Sequence, residues 1–325
     1  MSARYVWFKL ITFLAMTLPR KALYWVAHRL ADFNHTFDHR GREAVRANLR
    51  VILGPGAPEK RIRFEARWVF RHFGKYLAEF FGYKRFGAKF IDTYVDVIGL
   101  ETIEEELAKG KGVILNTAHI SNWEIGAAAM ARKGFPLTAV ALMHPEPDVN
   151  ELFRRQRASR GYSVVPVEGA YRRCVQALRE NHVVCFVGER NIGEGGIEVQ
   201  FMGRPCLFPQ GPARISIATG APLIPGFVVR RPNDSYAGIV EKPIRPPKIR
   251  DRREAARVMT QQFADLVATY IKRFPAQWGV FFKVWDDKAP LTPEDEEAAQ
   301  RPIWGRGTAA SQELEVPEAD QAKEN

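Results

Sequence analysis

The spacing of apolar side chains changes about ninety residues into the chain. Before that point it is helical: Val45, Leu49 and Ile52 recur at intervals of three or four, and a broad apolar stripe follows from Ile62 to Phe80. Such intervals place side chains on one face of a helix, whereas short apolar runs bounded by polar residues indicate strands. Beyond residue 90, short apolar runs alternate with helical segments. The chain therefore begins with helices and continues as alternating strands and helices.

The alternation predicts a three-layer α/β domain with a largely parallel central sheet, preceded by N-terminal helices. Strands are predicted over residues 94–99, 112–118, 137–142, 163–167 and 182–188, and helices between them over 100–110, 123–132, 148–161 and 170–181. Further strands are predicted over 197–203, 221–230 and 236–245, and a last helix over 253–274.

The segment from residue 7 to residue 27 is rich in aromatic residues and leucine, with lysine and arginine around it. Its longest uncharged run, residues 10–19, is shorter than the roughly twenty residues that span a bilayer. No small-residue cleavage site follows, so a secretory signal is not predicted. The composition favours a helix lying in a membrane interface, with residues 1–30 as the anchor. The alternative is a buried first helix of the domain.

The charge of the chain is unevenly distributed. The whole sequence carries a formal charge of +11, but residues 286–325 hold eleven acidic and four basic side chains, which leaves a net charge of +18 on residues 1–285. The acidic segment has few apolar residues and is predicted to be a disordered tail, so that 31–285 form the main domain. A domain this basic suits an acidic partner: nucleic acid, an anionic membrane face or an acidic carrier protein.

The cysteines and histidines do not predict a metal site. Cys174, Cys185 and Cys206 form no C-x-x-C pair, and their odd number favours reduced thiols in a reducing compartment. The seven histidines also lack metal-ligand spacing.

The sequence NTAHISNWEIGA, residues 116–127, places many polar groups where a predicted strand gives way to a helix. His119 follows the carboxyl end of that strand, where ligands bind in open α/β sheets. We expect the carboxylate of Glu124, in the first turn of the helix, to hydrogen-bond one ring nitrogen of His119 and leave the other free as a general base. The alternative is structural, because residues 121–124 also fit the S-x-x-E capping box.

Other common catalytic motifs are not found in the sequence. There is no G-x-x-x-x-G-K-[ST] and no G-x-S-x-G, which disfavours a phosphate-binding loop and a serine hydrolase. The glycine-rich sequence GERNIGEGG, residues 188–196, leads into another strand and lacks a proper G-x-G-x-x-G, so a dinucleotide-binding site is not predicted.

Several stretches resemble one enzyme family, in the same order. They are VRANLRVIL, FGKYLAEFF, AHISNWEIGA, NELFRRQRASRGYSVVPV and, as the strongest match, VVCFVGERNIGEGGIEVQFMGRPCLFPQGPARISIATGAPLIPGFVVR. Over roughly residues 5–285 the chain resembles the bacterial lipid A biosynthesis acyltransferases of the lauroyl and myristoyl type. It is also similar to the related phosphatidylinositol mannoside acyltransferases. Both belong to the glycerolipid acyltransferase superfamily, whose signature is H-x-x-x-x-D/E.

The resemblance implies roles for individual residues. His119 would be the general base and Glu124 the group that orients it, while Glu189 would be a second acidic partner of the histidine or a plain salt-bridge residue. Arg157 and the backbone N–H groups of residues 209–212 are candidates for stabilising the tetrahedral oxyanion. The substrate-binding positions that the resemblance implies are Asn122, Arg157, Gly161, Arg190, Gly211 and Arg230.

Two positions depart from the family pattern. Glu189 stands where the family usually has aspartate, which keeps the charge but changes its reach. In FPAQWGVFFKVW, Lys283 stands alone where paired arginines are expected, which weakens the case for lipid A itself as the acceptor.

The resemblance implies transfer of an acyl chain from a thioester, on acyl carrier protein or coenzyme A, to a hydroxyl of a membrane glycolipid. It implies no metal or redox cofactor, no nucleic acid partner, and a place on the anionic cytoplasmic face of the bacterial inner membrane. One alternative is an acyltransferase for another membrane lipid, a phospholipid or an aminolipid. Another is a non-catalytic, basic, membrane-surface binding protein on the same scaffold. A phosphoesterase is disfavoured because it would normally need clustered metal ligands.

Overall fold

The computed structural model describes residues 3–144, 146–191 and 195–285, and it begins with four helices whose ends have local causes. The first helix stops just before Pro19, since the residue before a proline is disfavoured in helical conformation. Asp38 caps the third helix by accepting the N–H of Gly41 at 2.8 Å, and Gly54, with a φ of 82°, ends it. The helices are α1 (Ala3–Thr17), α2 (Arg20–Phe37), α3 (His39–Leu53) and α4 (Glu59–Phe81).

Nine strands lie in the rest of the described chain. They are β1 (Val95–Ile98), β2 (Val113–Thr117), β3 (Leu137–Ala141), β4 (Ser163–Pro166), β5 (Val183–Val187), β6 (Ile197–Phe201), β7 (Arg204–Phe208), β8 (Leu223–Arg230) and β9 (Tyr236–Val240). Seven form one sheet in the order β1-β9-β8-β2-β5-β3-β4, and β6 pairs with β7 in a separate antiparallel hairpin. Every pairing within the large sheet is parallel except that of β8 with β9. The predicted largely parallel sheet is confirmed.

Helices cover both faces of the sheet, so the three-layer prediction is also confirmed. They are α5 (Ala88–Tyr94), α6 (Leu100–Leu107), α7 (Trp123–Arg132), α8 (Pro147–Ala158), α9 (Ala170–Arg179), α10 (Gly211–Thr219) and α11 (Arg252–Arg273). Helices α5 to α7 pack in one apolar cluster with the sheet, and α9 to α11 pack in another together with α3, α4 and the hairpin.

The sequence pattern did not predict α5, α10 and β7. Helix α5 has only seven residues, and α10 begins with Gly211 and Pro212, a pair that is typical of a turn. Strand β7 has a proline and alternates exposed with half-buried side chains, so it is not a continuous apolar run.

Helices α1 and α2 are docked on the domain along one side and expose apolar side chains on the other. Phe8 of α1 stacks on Phe81 of α4, with ring centroids 4.9 Å apart, and meets Phe153 of α8 edge-on. On the outer side, two stripes of apolar residues at helical spacing are exposed: Val6, Leu10 and Phe13 on α1, and Leu30, Phe33 and Phe37 on α2. The inner sides of the two helices are buried, as the alternative predicted, and their outer sides carry an apolar face, while attachment to a membrane stays a prediction.

Helix α2 continues to Phe37, so the domain boundary predicted at residue 30 does not coincide with the end of an element. Within the described ranges, no helix is both long and apolar enough to cross a membrane. The predicted disordered tail, residues 286–325, lies outside the described residues.

Candidate active site

A short loop between β2 and α7 carries His119 and is shaped by the residues that follow it. Ser121 has a φ of 55°, in the left-handed region, and turns the chain toward the helix. Asn122 is the N-cap of α7, and its side-chain oxygen accepts the N–H of Ile125 at 3.1 Å. The capping-box interpretation is wrong, because the cap is Asn122 rather than Ser121 and Glu124 points elsewhere.

His119 pairs with Glu189, which follows β5. The ring Nδ1 lies 2.7 Å from Glu189 Oε1, and the backbone N–H of His119 donates to the same oxygen at 2.9 Å. Strand β5 lies beside β2, so both residues lie at the carboxyl edge of the sheet. Burial alone would raise the pKa of Glu189, but His119 and its hydrogen bonds lower it below the usual value. A charged Glu189 thus fixes the ring and leaves Nε2 as the nitrogen available to a substrate.

The expected hydrogen bond from Glu124 to His119 is wrong. Glu124 is buried and accepts hydrogen bonds from two nitrogens of Arg157 in α8: Nη2 donates at 2.7 Å, and Nε donates to both carboxylate oxygens at 3.1 and 3.3 Å. It also accepts a hydrogen bond from the hydroxyl of Tyr162. Burial would raise the pKa of Glu124, but Arg157 and Tyr162 lower it. The first turn of α7 directs Glu124 toward α8 and β4, while the glutamate that reaches His119 comes from the neighbouring strand.

A cavity of about 290 Å³ lies between α7 and the sheet, and its lining includes residues at the carboxyl edge of the sheet. His119, Glu124 and Arg157 contribute polar groups to its lining, but most of the lining is aliphatic. Glycines and alanines open the space along α7 and the strands, including Gly126, Ala127, Ala139, Gly226 and Gly238. The arrangement joins a polar end that holds His119 to an apolar interior.

The other predicted positions fall into two groups. Arg190 lines the cavity, and its guanidinium lies over the ring of Phe282 at 4.7 Å. The remaining four, Asn122, Gly161, Gly211 and Arg230, are not among the residues lining the cavity. Arg230 and Asn122 instead bind the buried carboxylate of Glu79.

The two glycines are placed by backbone geometry. Gly161 has a φ of 87°, which suits glycine and turns the chain so that the next residue, Tyr162, reaches Glu124. Gly211 is the first residue of α10, on the opposite face of the sheet from α7. Its predicted role as an oxyanion donor stays a prediction.

Comparison with known proteins places the chain in a family. The model of the bacterial lipid A biosynthesis acyltransferase family matches residues 2–287. The chain belongs to this family. This acyltransferase is 28% identical over 265 residues to a phosphatidylinositol mannoside acyltransferase of Mycobacterium tuberculosis, a match that covers 76% of the chain and 78% of that protein. A Mycolicibacterium smegmatis protein of the same name is 27% identical over 262 residues, covering 75% and 80%.

Among solved structures, the acyltransferase is similar to the 1-acyl-sn-glycerophosphate acyltransferase PlsC of Thermotoga maritima. The sequence identity is 15% and the TM-score is 0.37, over 80% of this chain and 99% of that one. The predicted family relationship is confirmed, and the protein is an acyltransferase that acts on lipids.

Two residues that contact predicted site residues of the acyltransferase were not themselves predicted from the sequence. Tyr162 binds Glu124, and its signal in the sequence was its position directly after Gly161. Glu79 lies in the stretch FGKYLAEFF, which resembled the family but suggested no role. Within the described ranges, no group of three or more histidine, cysteine, aspartate or glutamate side chains is placed to hold a metal ion.

Proposed function

We propose that the protein moves a fatty acyl chain from an acyl thioester to a hydroxyl of a membrane glycolipid. The observation that carries the proposal is the His119–Glu189 pair at the polar end of an apolar cavity. An alcohol is a poor nucleophile at neutral pH, so a base must remove its proton as it attacks the thioester carbonyl. Family membership supports the choice of acyl transfer over other uses of a histidine–carboxylate pair.

In the proposed reaction, His119 Nε2 takes the proton of the acceptor hydroxyl while the alcohol oxygen bonds to the carbonyl carbon. The tetrahedral intermediate then collapses, the carbon–sulfur bond breaks, and the imidazolium returns the proton to the leaving thiolate. The products are an ester and a free thiol. Glu189, hydrogen-bonded at Nδ1, holds the ring and stabilises the imidazolium in the meantime.

Arg157 is the side chain that we propose stabilises the oxyanion. Its Nε and one terminal nitrogen are bound by Glu124, and its guanidinium lines the same cavity as His119. Because the positive charge is fixed before the reaction, it need not reorganise as negative charge develops on the carbonyl oxygen. Glu124 then acts through Arg157 rather than through the histidine.

The aliphatic part of the cavity is the proposed place of the acyl chain, because burying methylene groups there removes them from water.

The exposed apolar stripes of α1 and α2 support attachment to a membrane surface, and the basic domain suits an anionic leaflet and an anionic donor such as acyl carrier protein or coenzyme A. The names of the relatives favour a glycolipid acceptor, either lipid A-type or phosphatidylinositol mannoside-type.

The test is acyl transfer by the purified protein on vesicles that contain candidate glycolipids, with acyl carrier protein and coenzyme A thioesters compared as donors. Product is measured by lipid mass spectrometry. His119→Ala should lower turnover by on the order of a hundredfold to ten-thousandfold, and Glu189→Gln should lower it markedly, without loss of folding.

His182→Ala is the matched control, because His182 is a partly exposed histidine outside the cavity lining and its loss should leave turnover unchanged. Wild-type turnover in His119→Ala would contradict His119 as the base, whereas the absence of any transfer by the wild-type protein would favour a binding protein on this scaffold.

A further inference from the structure

Glu79, near the end of α4, is a fully buried carboxylate that collects hydrogen bonds from four other elements of the fold. Arg230, at the end of β8, donates to both of its oxygens at 2.8 Å. Asn122, at the end of the loop that carries His119, donates from its side-chain nitrogen at 2.7 Å. The hydroxyls of Tyr24 in α2 and Tyr236 in β9 donate as well. The group therefore links helix α2, the sheet and the loop that carries His119.

Arg230 holds the same loop by a second route, through Gln277. The side chain of Gln277 accepts the N–H of Arg230 and donates to its carbonyl, both at 2.8 Å. The carbonyl of Gln277 in turn accepts the N–H of Ser121 at 2.7 Å, and the N–H of Gly279 donates to the carbonyl of His119 at 2.8 Å. One arginine thus fixes two consecutive loop residues, through its backbone and through its guanidinium.

This network exceeds what capping of α7 requires. The oxygen of the Asn122 side chain already caps the helix, while its nitrogen reaches across to Glu79. A buried ion pair is also a poor way to gain stability, since an apolar pair of similar volume is often as stable. What the charged pair adds is direction, because both terminal nitrogens of Arg230 donate to the carboxylate of Glu79, and Nη1 also reaches Asp234 at 3.3 Å.

We propose that the Glu79–Arg230 pair is a positioning device that holds the His119 loop in register with Glu189 and ties it to helix α2 through Tyr24. The inference rests on the proposed function, because it assigns the network to the orientation of the catalytic base. Glu79 and Arg230 are positioning residues, and neither lines the cavity.

Asn122→Ser is the sharpest test. Serine caps a helix about as well as asparagine, but its hydroxyl is too short to reach Glu79. We expect kcat to fall roughly tenfold to a hundredfold, because a small misplacement of a catalytic group is enough for such a loss. The KM for the donor should stay within about twofold, and vesicle binding should be unchanged. Hydrogen exchange at the Ser121 amide should be faster, because the loop is held less firmly.

Tyr24→Phe tests the link to the helix pair, with Tyr270→Phe as its matched control. Tyr270 also donates its hydroxyl to a buried glutamate, Glu241, at 2.5 Å, but this hydrogen bond joins α11 to the segment after β9 and does not involve the His119 loop. Each substitution removes one comparable hydrogen bond, so the two should lower Tm similarly. Only Tyr24→Phe should lower kcat, by about threefold to tenfold.

The outcomes separate this inference from the proposed function. If the wild-type protein transfers acyl chains but Asn122→Ser keeps the wild-type kcat, or the two tyrosine variants lower kcat equally, the network is only structural and the inference is overturned. If the wild-type protein transfers no acyl chain, the proposed function fails. In that case unchanged exchange at Ser121 in Asn122→Ser overturns the inference independently.

Discussion

At the first turn of α7, the carboxylate of Glu124 is enclosed by Arg157 and Tyr162, where it stays charged because they lower its pKa. Glu124→Gln keeps the volume but leaves the buried Arg157 without a counter-charge. We expect the free energy of unfolding to fall by about 3–5 kcal/mol, measured by urea denaturation. Turnover should fall as well, because Arg157 loses its orientation.

The control for Glu124→Gln is Glu254→Gln, which breaks an exposed Arg–Glu pair on α11 whose nitrogen–oxygen distance is also 2.7 Å. It should leave stability nearly unchanged, because solvent already screens the pair. A Glu124→Gln protein with wild-type stability and greatly reduced turnover would indicate that Glu124 acts directly in the chemistry.

Gly238 on β9 offers a way to shorten the cavity without disturbing the fold. A side-chain carbon there would meet Asp96 and Val97 at 3.6 Å, which is ordinary contact, whereas one at Gly126 would meet Val228 at 2.6 Å. Gly238→Ala, and more strongly Gly238→Val, should shift preference severalfold toward shorter acyl chains, since one methylene in an apolar pocket discriminates at least that much.

The measurement for Gly238 is competition between thioester donors of different chain length. Gly56→Ala is the control, because a side-chain carbon at Gly56 meets no atom within 4 Å. An unchanged chain-length preference in Gly238→Val would mean that the acyl chain lies elsewhere.

At the scale of elements, α1 and α2 present their apolar stripes to the outside while their inner sides are packed on α4. If this face enters a membrane, Leu10→Gln and Phe13→Gln should each weaken binding to anionic vesicles by on the order of tenfold, because each removes about 1.5 kcal/mol or more of apolar burial. Sedimentation with vesicles measures the effect. Tm should hardly change, because both side chains are already exposed in the free protein.

Leu207→Gln is the matched control for the helix pair, since Leu207 is an equally exposed leucine on the β6–β7 hairpin. Vesicle binding as strong in Leu10→Gln and Phe13→Gln as in this control would contradict a membrane-bound α1.

For the molecule as a whole, the packing of α2 on α4 is predicted to weaken on acidification. Burial lowers the pKa of three histidines in these helices, His28, His35 and His72, and that of His28 falls from 6.5 to about 4. These histidines bind protons more readily in the unfolded chain than in the folded one. The stability they allow is therefore full above about pH 6.5 and is lost as the pH falls toward 4. The Tm should therefore drop by several degrees between pH 7.5 and pH 5.5.

His72→Gln should flatten this dependence, and His182→Gln, at a partly exposed position outside these helices, serves as the control. A Tm that stays constant from pH 7.5 to pH 5.5 in the wild-type protein would contradict the prediction.

The apolar pattern of the sequence was sufficient for most elements, and the resemblance of several motifs was sufficient for the family. Helix α7 runs from Trp123 to Arg132 as predicted, and β2 and β5 end within a residue of the predicted limits. These features are local: periodicity and capping act over a few neighbouring residues, so they can be read along the chain. The position of His119 at the carboxyl edge of the sheet followed from the same local reasoning.

Which carboxylate serves His119 was decided only by the tertiary structure. Glu124, five residues away in the sequence, was the expected partner of the ring. Glu189, seventy residues away, is the residue that pairs with it, because β5 lies beside β2. Likewise Glu79, Asn122 and Arg230 meet only because α4, the loop and β8 converge in the core. Sequence spacing fixes which residues share a turn of helix, whereas contacts between distant elements depend on strand order and helix packing, and these decide the partners of His119.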